Sequence, residues 1–164
     1  MTNLRRRAGA PAILGAVMFA SFCSRSPEVV NTVAPILSGA RIYYDDGPAF
    51  QDSVCEIIRD RVLWRDVWSQ ATSIQPSPPP IPEIDFEREM IVVVGGGRMK
   101  AGDQFGVDSA GVQDTLFRVV YTTVECRRFP EDVYPFEIIR VPRADHPAYC
   151  VKRTADVSHC RQDE

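Results

Sequence analysis

The sequence predicts an α+β fold: a small, mostly antiparallel β-sheet with one principal helix that carries two tryptophans. Two observations lead there. Apolar stretches rich in β-branched residues recur, such as M-I-V-V-V at 90–94 and L-F-R-V-V-Y-T-T-V at 116–124, the pattern of strands. Ahead of both, Trp64, Val67, Trp68 and Ala71 fall at i, i+3, i+4 and i+7, one face of a helix. Beyond this helix the connections are too short for crossover helices, so neighbouring strands are expected to run antiparallel.

Along the chain, A-R-I-Y-Y at 40–44 reads as a short strand ended by the turn cluster Asp45-Asp46-Gly47-Pro48. S-V-C-E-I-I-R at 53–59 admits two readings. Ser53 and Glu56 have capping-box spacing, but the β-branched content favours a strand, followed by a helix capped at Asp60. The tryptophan face lies on that helix, over residues 61–71. Paired tryptophans on an apolar face are expected in the core rather than on a ligand platform. Q-P-S-P-P-P-I-P at 75–82 can continue neither a helix nor a central strand and reads as an extended connector. A buried central strand follows at 90–94, then Gly95-Gly96-Gly97 and a loop to Phe105. Further strands are expected at 116–124, at 136–141 between Pro135 and Pro142, and, briefly, at 148–151. No internal repeat is visible.

The N-terminal segment reads as an address. Arg5, Arg6 and Arg7 precede an apolar, small-residue run of about 15 residues, shorter than the roughly 20 a bilayer span needs. This is the pattern of a secretory signal peptide. Cys23 closes the run and is a candidate for lipidation; the alternative is ordinary cleavage near Cys23 or Ser24. The expected organisation is a signal segment over 1–23, a flexible tether over 24–39, an α+β domain over 40–153 and a polar tail over 154–164. The chain of 164 residues has a net charge of -3. Without residues 1–23, which hold three arginines and no acid, 16 Lys and Arg face 22 Asp and Glu, for -6. An acidic exported domain is a poor nucleic-acid partner, and contact with a membrane is expected only through a lipid on Cys23.

Cysteine usage agrees with export. Cys55, Cys126, Cys150 and Cys160 are an even set in a chain expected in an oxidising compartment, and three pairings are open. A Cys150–Cys160 bridge would close a short loop at the tail and leave Cys55 to join Cys126.

No catalytic or cofactor signature stands out. The two histidines are His146 and His159. A Cys–His nucleophilic pair would require Cys55 or Cys126 to meet His146. Zinc ligation by His146, Cys150, His159 and Cys160 is disfavoured because two of those donors are adjacent. The glycine run does not continue as G-x-x-x-x-G-K-[ST], and Asp103, Asp108 and Asp114 lack calcium-loop spacing. No cofactor and no metal are expected.

The ordered series C-E-I-I-R-D-R-V-L-W-R-D-V-W, a Pro-rich gap, P-E-I-D-F-E-R-E-M-I-V-V-V, Gly-Gly-Gly-Arg and Y-P-F-E-I-I-R-V-P-R resembles the PrcB C-terminal domain family. That family takes its name from a lipoprotein subunit of a secreted bacterial protease complex. The resemblance spans about residues 53–145 and rests on Trp64, Trp68, Asp85, Phe86, Gly96, Arg98, Pro135, Phe136, Val141 and Pro142. Where the family carries Thr-Gly-Gly-Tyr, this chain has Lys100-Ala101-Gly102-Asp103-Gln104-Phe105, with Phe105 in place of the aromatic. The resemblance implies an exported, non-catalytic protein-binding module, an accessory or stabilising partner of an envelope protease. It would act in the bacterial periplasm, at the outer surface or outside the cell. The expected contact surface is an exposed glycine-rich loop with Gly96, Gly97, Arg98, Lys100, Gly102 and Phe105, Arg and aromatic side chains being the usual interface anchors. Two alternatives stand beside it: a Cys/His-dependent hydrolase, and a protease inhibitor acting through that loop, since the hairpin resembles that of chagasin-type cysteine protease inhibitors.

Overall fold

The computed structural model describes residues 32–35, 40–126, 129–155 and 160. The signal segment, Cys23 and His159 lie outside the described residues. The elements in order are β1 (Thr32–Pro35), β2 (Arg41–Asp45), β3 (Ser53–Ile58), α1 (Arg61–Ala71), β4 (Glu89–Gly96), β5 (Met99–Lys100), β6 (Gln104–Gln113), β7 (Leu116–Val124), β8 (Asp132–Val133), β9 (Phe136–Pro142) and β10 (Ala148–Ala155). They build two four-stranded sheets, ordered β2-β9-β4-β3 and β1-β6-β7-β10, and a two-stranded ribbon of β5 and β8. All strand pairs are antiparallel except β7 with β10. This is the small, mostly antiparallel α+β fold that the sequence predicts, with one helix bearing Trp64 and Trp68.

Helix α1 begins where its cap requires. Asp60 is extended (φ -141°, ψ 158°), and its carboxylate accepts from the amides of Val62 and Leu63, each at 2.9 Å. These are two of the amides a helix start leaves without an internal partner. The Trp64, Val67, Trp68 and Ala71 stripe is buried, packing with Ile91, Val93, Phe136 and Ile138. The indole N–H of Trp64 donates to the Pro82 carbonyl (3.1 Å) and that of Trp68 to the Pro79 carbonyl (3.2 Å). The Pro-rich connector is thus laid along the helix and satisfies both indoles.

The sheet containing β4 is the middle layer. Ile91 and Val93 face the helix, while Met90, Val92 and Val94 face Val107, Phe117, Val119 and Tyr121 of the other sheet. Burial on both faces is why β4 reads as an unbroken apolar run rather than an alternating one. Asp85 folds the chain into β4: its carbonyl accepts from the amides of Arg88 (2.9 Å) and Glu89 (2.8 Å).

Several segments depart from the sequence expectation. Part of the presumed tether, Thr32–Pro35, pairs with β6. The loop expected to reach Phe105 contains β5 and the start of β6. β10 extends to Ala155, into the presumed tail, and Cys160 is bonded to Cys126. Bridges join Cys55 to Cys150 and Cys126 to Cys160, with Cα separations of 6.4 and 5.7 Å. The short Cys150–Cys160 loop does not form, because β10 carries Cys150 alongside the far edge strand β3.

Candidate functional site

The glycine-rich segment leaves the end of β4, and its geometry differs from a free loop. Gly95 and Gly96 belong to β4, and Gly95, Gly96 and Gly97 are all buried. The Gly96 amide donates to the Pro135 carbonyl (2.8 Å), and the Ser53 hydroxyl donates to the Gly96 carbonyl (3.0 Å). Gly97 turns the chain with φ at +73°. The expectation of an exposed glycine run is therefore corrected: these backbones are packed because the strand ends beneath β3 and the chain before β9.

Beyond Gly97 the segment becomes accessible. Arg98 is exposed, Met99 is buried and Lys100 is partly exposed, the alternation of a two-residue strand. Asp132 on β8 gathers both cations, with Arg98 Nη2 and Lys100 Nζ each 2.7 Å from its carboxylate. The hydrogen bonds from Lys100 and Arg98 hold the Asp132 carboxyl below its ordinary range, and Asp132 raises Arg98. Lys100 Nζ also donates to the Pro130 carbonyl (2.8 Å). Asp103 closes the turn. One carboxylate oxygen accepts from the Lys100 amide (2.8 Å) and the other from the Cys126 amide (2.7 Å). The Ala101 amide donates to the Glu131 carbonyl (2.9 Å) and the Phe129 amide to the Ala101 carbonyl (3.2 Å). Gly102 sits exposed at the turn with φ at +89°. Phe105 points elsewhere: it is half-buried and packs with the inter-sheet core, 6.1 Å from the Tyr121 ring.

Of the predicted contact residues, the fold therefore brings Arg98, Lys100 and Gly102 to one accessible end. Gly96 and Gly97 lie buried at its base, and Phe105 packs half-buried against the inter-sheet core. Sequence reading missed the opposite wall. Phe129, 57 % exposed, and Pro130 stand beside Asp132, and Lys152 on β10 completes an open groove of about 730 Å³ with Arg98, Lys100 and Thr123. The signal available was an aromatic followed by proline in an otherwise polar stretch, F-P-E-D at 129–132.

Elsewhere, chemistry is sparse. Cys55, Cys126, Cys150 and Cys160 are all in bridges, so none offers a thiolate to His146 while oxidised. His146 is exposed, and its carbonyl accepts from Arg59 at 3.0 Å. Among the described residues no group of three or more His, Cys, Asp or Glu is placed to hold a metal ion. Trp64 and Trp68 are too deeply buried to serve as a ligand platform.

Glu137 on β9 is the one fully buried acid among the described residues. Arg41 Nη2 lies 2.7 Å from one of its oxygens, and the other has no hydrogen-bond partner. Burial raises the Glu137 carboxyl above its ordinary value, against the lowering effect of Arg41. The folded chain therefore holds this proton more tightly than the unfolded chain does. As pH falls through the raised folded value toward the ordinary carboxylate range, this group adds stability. Glu137→Gln, which keeps an acceptor for Arg41, should be at least as stable as the wild type at neutral pH. Its advantage should shrink on acidification. Urea midpoints measured across the acid range test this, and an advantage that grows on acidification would contradict it.

No protein-family model, curated protein or solved structure matches this chain.

Proposed function

We propose that the chain is an exported, non-catalytic protein-binding module that assists an envelope protease and meets its partner through residues 98–102 and 129–132. The observation that carries the reading is an exposed aromatic, Phe129, set beside a cation pair already fixed on Asp132. Aromatic and arginine side chains dominate interface energetics, and groups held in place before contact lose less freedom on binding. Three features of the sequence support the rest: the signal-like N-terminus, the even cysteine set, and the resemblance to the PrcB C-terminal domain family.

Affinity purification from the envelope fraction, read by mass spectrometry, tests the surface. The wild-type chain should recover a protease-containing assembly. The double variant Arg98→Ala/Phe129→Ala should recover at least about 10-fold less, as expected when two anchors are truncated, with its thermal midpoint little changed. Equal recovery by the two chains rules out this surface. The mature N-terminal peptide from the same material reports whether Cys23 carries a lipid.

A further inference from the structure

Both bridges hold the same element. Cys150 lies within β10 and Cys160 follows it, and their partners are Cys55 on β3 and Cys126 just after β7. β10 has little else to anchor its side chains. Ala148, Tyr149, Lys152, Arg153 and Thr154 are exposed; Cys150, Val151 and Ala155 are half-buried; none is fully buried. By contrast β7, its sole strand partner among the described residues, buries Phe117, Val119, Val120, Tyr121, Thr123 and Val124. β7 is also paired along its other edge with β6, so it does not depend on β10 for its place. The chain entering β10 is fixed separately. Arg59 donates to the carbonyls of Ala144 and His146, each at 3.0 Å, and Ala144 is buried. A boundary between a fixed and a detachable part therefore falls at about residue 147.

We propose that β10 is a redox-releasable latch: a dithiol reductant opens both bridges, β10 leaves the β7 edge, and the rest of the fold persists. In each bridge a thiolate of the reductant attacks one sulfur and displaces the other, forming a mixed disulfide. The reductant's second thiol then displaces the protein sulfur and closes the reductant's own disulfide. Two electrons and two protons pass to the protein, which gains two thiols per bridge. Among the described residues, what remains of the attachment is one backbone ladder backed by side chains that are at most half-buried, the profile of a low-stability unit that opens alone. Release uncovers an edge of β7 as a row of unpaired backbone groups able to accept an extended strand. It also removes Lys152 from the groove beside Phe129. The latch itself does not rest on the binding reading.

Hydrogen exchange of the full chain, with and without dithiothreitol, tests it. Once the intact mass shows both bridges open, amides of 148–155 and those of 117–124 that face β10 should exchange at least about 10-fold faster. Those of 89–96 and 136–142 should keep their protection. The quadruple variant Cys55→Ala/Cys126→Ala/Cys150→Ala/Cys160→Ala should show the same pattern without reductant. Two results overturn the proposal. One is retention of protection at 148–155 with both bridges open. The other is loss of protection at 89–96 together with 148–155, which would make the bridges staples of the whole fold.

Discussion

Trp64→Ala should destabilise the fold by about 3–5 kcal/mol, the range for removing a large aromatic from a packed core. Trp64 is 2 % exposed and its ring lies 5.2 Å from that of Trp68, tilted by 55°. It packs in the cluster that joins α1 to Ile91, Val93, Phe136 and Ile138 of the middle sheet. Truncation removes that contact and leaves a void between helix and sheet. It also leaves the Pro82 carbonyl without the indole N–H that now binds it at 3.1 Å. The two losses separate experimentally. Trp64→Phe keeps most of the apolar area but not the donor, so it should cost about 1–2 kcal/mol. Urea unfolding followed by Trp68 fluorescence reads both. A loss below about 1 kcal/mol for the alanine variant would mean that the helix is not held by this face.

The elements that the sequence specifies locally were legible in it. Asp60 followed by the tryptophan stripe defines α1, and the structure has the helix over Arg61–Ala71 with Asp60 as its cap. The Leu116–Val124 strand has its expected bounds, because a turn at Asp114 precedes a stretch rich in β-branched and aromatic residues. β6 was not legible, for a physical reason. Its core-facing residues are Phe105 and Val107, then Ala110 and Val112, which switches from odd to even positions. A register shift between Val107 and Ser109 makes the switch, and an extra residue there breaks the period-two pattern that identifies a strand. Pairing with β7 and β1 on its two sides holds in place a segment whose own composition is poor in strand formers. The parallel β7–β10 pair was hidden for a related reason. Short connections argue against parallel neighbours only when the strands are consecutive, and here β9 in the other sheet intervenes. At the candidate site, cations next to glycines were visible, but Phe129 and Asp132 reach them only through the β5–β8 pairing, which two residues per strand do not announce.

Gly97→Val should cost about 2–4 kcal/mol, combining a left-handed backbone for a β-branched residue with an overlap that the surroundings cannot relieve. With φ at +73°, Gly97 is in the region where glycine alone is unstrained. A Cβ there would lie 2.8 Å from both the backbone nitrogen and the hydroxyl oxygen of Ser53, and 3.3 Å from the carbonyl carbon of Asp52. The Ser53 amide nitrogen belongs to the first residue of β3, in register with Gly96, so it moves only if the strand end moves. Gly96 provides the contrast. Its added Cβ would meet Met99 Sδ at 2.8 Å and the Phe105 ring at 3.0 Å, both side-chain atoms that can turn aside, so Gly96→Ala should cost nearer 1 kcal/mol. Guanidinium unfolding of the two variants therefore separates two meanings of a glycine run. A loop chosen for flexibility would tolerate both changes alike, whereas a strand end packed against its neighbour penalises position 97 far more than 96. Arg98 follows directly, so the same substitution should also displace it from Asp132. Partner recovery should then fall along with stability, while Gly96→Ala should leave recovery near the wild-type level.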